Sequence, residues 1–109
     1  MKVAVIADEN TSLAFRLIGI KEVYVARSKW DAEKAVKAVR EMSHIGIVLI
    51  GESVADYIKE EIEEWKKSRR GIYPIIMIVP DIKSVEEERE DPLRGMIKRS
   101  IGVDILAKR

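Results

Sequence analysis

The chain has 109 residues, 47% hydrophobic and 36% charged, and its 20 Lys+Arg against 19 Asp+Glu leave a net charge of +1. That length holds one compact domain, the apolar share excludes intrinsic disorder, and the balanced charge argues against a dedicated nucleic-acid binder. With no cysteine and a single histidine, His44, disulfides, thiol nucleophiles and multi-histidine metal sites are excluded.

No apolar run approaches the roughly 18 residues of a membrane span, and the run at 3–7 is too short for a signal-peptide core. The expectation is therefore a soluble intracellular protein. Glutamine is absent and Asn10 is the lone asparagine, while Lys and Glu abound. Such usage avoids thermolabile side chains and hints at a thermophilic source.

In chain order, Lys2 to Ala7 reads as a short strand ended by Asp8, Glu9 and Asn10. Thr11 to Ile18 reads as a short helix closed by Gly19, and Glu22 to Val25 as a brief strand at a sheet edge. A helix follows, capped by Ser28 with Asp31 three residues on, its apolar stripe being Ala32, Ala35, Val36, Val39 and Met42. Ile45 to Ile50 is apolar throughout, as suits a strand covered on both faces. The next helix is expected to start at Ser53, with Asp56 completing a capping box, and to bury Val54, Tyr57, Ile58, Ile62 and Trp65. Lys66 to Gly71 forms a basic hinge before a third apolar run, Ile75 to Val79, which Pro80 stops and which is also expected to be covered on both faces. An acidic loop, Glu86 to Asp91, precedes a last helix from Pro92 through Leu93, Met96, Ile97 and Ile101.

Alternating strands and helices demand crossovers and hence a parallel sheet. The expected fold is α/β: a four-stranded, mainly parallel sheet flanked by helices, of flavodoxin or receiver type, in order 2-1-3-4. One domain covers 1–101, with 102–109 as a tail.

Ligands of such sheets bind beyond the carboxyl ends of the strands. Asp8, Glu9, Glu52 and Asp81 fall there and could hold a Mg²⁺ ion, an arrangement that resembles a response-regulator receiver. The third strand, however, ends in Gly51 and Glu52 where a receiver carries its phosphorylated aspartate, and a fifth strand with its lysine is missing. A small ligand-binding α/β protein is the other rival, but neither Gly-x-Gly-x-x-Gly nor a Walker loop is present. No metal, cofactor or catalytic residue is assigned, and His44 reads as a loop or interface residue.

The short first helix carries more information. Leu13, Ala14, Phe15, Leu17 and Ile18 cover more than half its circumference, whereas a helix lying on a sheet needs one stripe. Either the helix is deeply buried or its outer side meets a second partner, with Arg16 as a rim contact.

Lys2 to Asp8 followed by Phe15-Arg-Leu-Ile-Gly19-Ile20 resembles the start of the F subunit of archaeal and vacuolar-type ATPases. Gly46 to Ile50, Glu52, Ile58, Tyr73-Pro74, Pro80, Asp91-Pro92-Leu93 and Ile97 to Gly102 continue the resemblance in order, with Ala14 standing where the family often has Gly. The resemblance implies a non-catalytic rotor part of the central stalk. It would bind the coiled-coil D subunit, couple ATP turnover to proton or sodium transport, and sit peripherally on the cytoplasmic side of the cell membrane without inserting. Phe15, Arg16, Leu17 and Ile18 are the first contact candidates, and Tyr24 and Val25 on the edge strand come next. The resemblance also implies a regulatory C-terminal helix, with Arg94, Ile97, Lys98 and Ile101, that meets the catalytic A and B subunits transiently.

Overall fold

A computed structural model describes residues 2–69 and 71–81. Along the chain lie β1 (Lys2–Ala7), α1 (Glu9–Leu17), β2 (Glu22–Val25), α2 (Lys29–Arg40), β3 (Ile45–Gly51), α3 (Glu52–Ala55), α4 (Lys59–Ser68) and β4 (Ile75–Val79). All neighbouring strands pair in parallel, in the order β2-β1-β3-β4, as expected. The last expected helix, from Pro92 to Ile101, the acidic loop and the tail lie outside the described residues.

The apolar runs form the middle of the sheet because every side chain there has somewhere dry to go. Alternate residues of a strand face opposite ways. Ala4, Ile6, Val48 and Ile50 share one face with Ala32, Val36 and Val39 of α2 and Ile62 and Trp65 of α4, in the main core. Val5, Ala7 and Val23 share the other with Phe15, Ile20 and Leu49, beneath α1. Where β1 begins, β3 carries an extra residue between the partners of Lys2 and Val3, a bulge that shifts the register at this end of the sheet.

The starts of α1 and α2 follow from their caps. The Asp8 carboxylate accepts from the Thr11 N–H at 3.2 Å, and Ser28 Oγ accepts from the Asp31 N–H at 3.2 Å. Asp31 in turn accepts from the Arg27 N–H, one residue earlier than a strict capping box. Gly19 ends α1 at φ +101°, its N–H donating to the Arg16 carbonyl at 3.0 Å. A β-carbon is strained there, so Gly19→Ala is expected to cost about 1 kcal/mol, read as a lower midpoint in urea. An unchanged midpoint would mean that the turn takes another conformation.

Two expectations need correction. The expected Ser53 helix is two helices. It starts at Glu52 with Gly51 as cap residue, which has no side chain to cap it. The Ser53 hydroxyl donates instead to Asp81 across the sheet edge. The Tyr57 and Ile58 N–H groups then reach back only three residues, to the carbonyls of Val54 and Ala55, which tightens and ends α3. Ile58 drops fully buried into the core, and its carbonyl opens α4 by accepting from Ile62.

The second correction concerns β4. Its run of apolar residues suggested cover on both faces, yet Ile75, Met77 and Ile78 are exposed. Among the described residues it is an edge strand, the position that the order 2-1-3-4 gives it. Ile75 and Met77 line up with Ile47 and Leu49, on the face where α1 sits mainly over β1 and β2.

Candidate functional site

Chemistry in a parallel sheet is expected at its carboxyl edge. Each acidic group described below has structural work there instead. Asp8 caps α1, Glu9 pairs with Arg27 at 3.2 Å on the exposed rim, and Asp81 accepts from both the N–H and the hydroxyl of Ser53. Among the described residues no group of three or more His, Cys, Asp or Glu could hold a metal ion. His44 is exposed in the loop before β3 with φ +68°, and its carbonyl accepts from the Lys2 N–H at 2.8 Å.

The distinctive surface is α1. A helix on a sheet normally turns its apolar stripe inward. Here the side facing the sheet is Thr11 and Ser12, both buried, with Phe15 half-buried one turn on. Ser12 Oγ donates to the Ala7 carbonyl at 3.1 Å, so the hydroxyl is satisfied by the strand end beneath it. These small side chains let the helix sit close to Val5 and Ala7. The large apolar residues point the other way: Leu13 is 56% exposed, Leu17 78% and Ile18 74%. The first of the two sequence readings, a deeply buried helix, is thereby removed, and the apolar excess faces out. Full burial of each such side chain by a partner would contribute about 1.5–3 kcal/mol.

The candidates from the sequence divide accordingly. Leu17 is exposed on this outer side, and Ile18, the residue that caps the end of α1, is exposed next to it. Leu13, four residues before Leu17, is exposed on the same side of the helix, although it is not among the contact candidates taken from the sequence. Phe15 turns inward and packs beside Val5, Ala7 and Val23, so it supports the surface from below. Arg16 bridges the two elements, donating from its guanidinium to the Val23 carbonyl of β2 at 3.3 Å.

β2 is an edge strand, as expected, but its residues split between faces. Val25 lines up with Ala7 on the α1 side, whereas Tyr24 lines up with Ile6 on the opposite side and packs against the main core. The Tyr24 hydroxyl donates to Glu22 at 3.4 Å, and its pKa is raised by burial first and then by that carboxylate. Tyr24 is therefore not brought together with the α1 surface. Arg94, Ile97, Lys98 and Ile101 lie outside the described residues.

Comparison with known proteins gives a consistent picture. The family model described as ATP synthase (F/14-kDa) subunit matches residues 3–97. The chain is 35% identical over 105 residues to the A-type ATP synthase F subunit of Methanothermobacter thermautotrophicus, covering 95% of each chain. It is 32% identical over 105 residues to that of Methanocaldococcus jannaschii, covering 96% of this chain and 99% of the relative. Among solved structures, the V-type ATP synthase F subunit from Archaeoglobus fulgidus shares the fold, with a TM-score of 0.57 and 24% identity. That match covers 72% of this chain and 95% of the other.

Proposed function

Since the chain belongs to the ATP synthase (F/14-kDa) subunit family, we propose that it acts as a non-catalytic central-stalk part of an A/V-type ATP synthase and binds the coiled-coil D subunit through the outer side of α1. The observation that carries this reading is the inverted helix: hydroxyl residues meet the sheet while Leu13, Leu17 and Ile18 face out. A long coiled coil suits that face, because its helices offer a ridge of side chains to a second apolar ridge. Arg16 and the Arg27–Glu9 pair supply charge beside it, in the pattern of an apolar centre with a polar rim.

The role is mechanical. Packing an α/β domain against one side of the coiled coil stiffens it, so that torque passes between ATP turnover in the head and proton or sodium movement in the membrane sector. No described helix is long and apolar enough to cross a membrane. In this reading the subunit is peripheral and lies on the cytoplasmic side.

Residues 92–101 form the regulatory helix of the proposal and complete the domain at 101, with 102–109 as its tail. Leu93, Met96, Ile97 and Ile101 supply its apolar stripe, flanked by Arg94, Lys98 and Arg99. The apolar residues of β4 beside α1 offer that stripe a place to rest, and leaving it would expose the stripe to the catalytic A and B subunits.

The test is capture of the N-terminally tagged chain from detergent-solubilised membranes of its source organism. Recovery of a long coiled-coil chain with two large nucleotide-binding chains is expected. Recovery of the chain alone, in salt low enough to keep charged contacts, would refute the stalk assignment.

A further inference from the structure

The outward side of α2 carries a feature that its packing does not use. Ala32, Ala35, Val36 and Val39 bury the helix against the sheet. Trp30 falls on the opposite side of the helical wheel and is 66% exposed, an unusual position for so large an apolar side chain. Its ring is already held, because the Lys34 ammonium, one turn on, stands 4.1 Å from its centre. An anchor fixed in this way loses little rotamer freedom when a partner covers it.

The charge close to the ring is mainly positive. Lys29, Lys34 and Lys37 are exposed, and among the described residues none of them pairs with a carboxylate. On α4, by contrast, Lys59 and Lys66 pair with Asp56 and Glu63. The carboxylates of α2 are placed elsewhere. Asp31 accepts from the Arg27 N–H at the helix start, and Glu33 and Glu41 line the groove toward α4, which Lys37 also borders. A membrane surface would need a whole apolar helix face, and α2 buries its own in the core. An acidic protein surface with a recess for one indole matches both the ring and the lysines.

We propose that the outward side of α2 is a second docking surface, on which Trp30, with Lys29, Lys34 and Lys37 around it, binds a carboxylate-rich patch of a protein other than the coiled coil. α1 lies on the other face of the sheet, so the domain is held between two partners. The proposal rests on the reading of the chain as a stalk part that binds its coiled coil through α1.

Hydroxyl-radical footprinting read by mass spectrometry tests it, on the free chain, on its binary complex with the D subunit and on the reconstituted ATP synthase. Trp30 should oxidise at one rate in the first two samples and at least about fivefold more slowly in the third, as a desolvated anchor does. In Lys29→Glu/Lys37→Glu, which keeps the Lys34 contact, Trp30 in the reconstituted complex should return to the free-chain rate. Protection by the D subunit alone would overturn the proposal, because the coiled coil would then be the partner. So would a Trp30 that stays open in the full complex, or one that stays protected in the lysine variant. Equal protection of the free chain by phosphatidylglycerol vesicles would assign the surface to a membrane instead, and overturn it too. Leu17 reads the α1 contact in the same samples. If the D subunit leaves Leu17 open, the α1 reading fails whatever Trp30 does, and a chain that does not enter the complex removes both.

Discussion

Replacing Leu17 and Ile18 together by glutamine is expected to weaken binding of the coiled-coil partner by at least about a hundredfold while leaving the isolated domain folded. Both residues are mostly exposed, and neither belongs to a core cluster. Surface changes of this kind usually shift stability by no more than about 0.5 kcal/mol. Glutamine is a good helix former and adds no charge to a last turn that already holds Arg16, so α1 keeps its propensity and its end charge. In the complex the change removes about 1.5–3 kcal/mol of apolar burial at each position and asks two amides to be desolvated instead. A loss of about 3 kcal/mol is already more than a hundredfold in Kd. Titration calorimetry with the purified D subunit reads the affinity, and a urea melt of the free variant reads the fold. Tight binding by a folded double variant would sink the α1 assignment.

Phe15→Ala supplies the contrast. Phe15 packs under α1 with Val5, Ala7 and Val23, so its truncation should lower the stability of the free domain as well as the affinity. If Phe15 were instead a direct contact, as its place in the motif suggests, the variant would lose affinity at unchanged stability. One pair of measurements separates a contact residue from a supporting one.

The difference between Phe15 and Leu17 explains how far the chain could be read in advance. The three apolar runs and the Ser28 start of α2 are written locally, in periodicity and in one capping serine, whereas the strand order follows by analogy with flavodoxin-like sheets. The orientation of α1 is not written locally. All five apolar side chains from Leu13 to Ile18 look alike on a wheel, and what turns the helix is the Ser12 bond to the Ala7 carbonyl, a tertiary contact between small polar groups. Ser53 shows the same thing. Its spacing to Asp56 matched a capping box, but Asp81, distant in sequence, offers its hydroxyl a charged acceptor and wins. For β4 the composition was read correctly as apolar. The expected order 2-1-3-4 already puts it at the sheet edge, where an apolar run need not be covered on both faces.

Trp65→Ala is the substitution expected to damage the fold most. The side chain is 4% exposed on α4 and belongs to the main core with Val36 and Val39 of α2, Ile58 and Ile62. Its truncation is expected to cost about 3–5 kcal/mol, through lost transfer energy and a cavity that the sheet beneath cannot close. That is a large part of the roughly 5–15 kcal/mol that holds a domain of this size. The polar links across the same helices are weak by comparison. Arg40 meets Glu64 at 3.8 Å and the Ser68 hydroxyl at 2.8 Å, both at the surface, where an ion pair contributes at most about 1 kcal/mol. They cannot hold α4 in place once its tryptophan is gone. Trp30 is the internal control, being 66% exposed with the Lys34 ammonium 4.1 Å from its ring centre. Trp30→Ala should lose only about 0.5–1 kcal/mol, the value of an exposed cation–π contact. Guanidinium melts followed by far-UV circular dichroism, which needs neither indole, compare the two variants. Equal losses would show that α4 does not close the core. A much greater loss at Trp65 would show that burial, and not residue type, sets the difference.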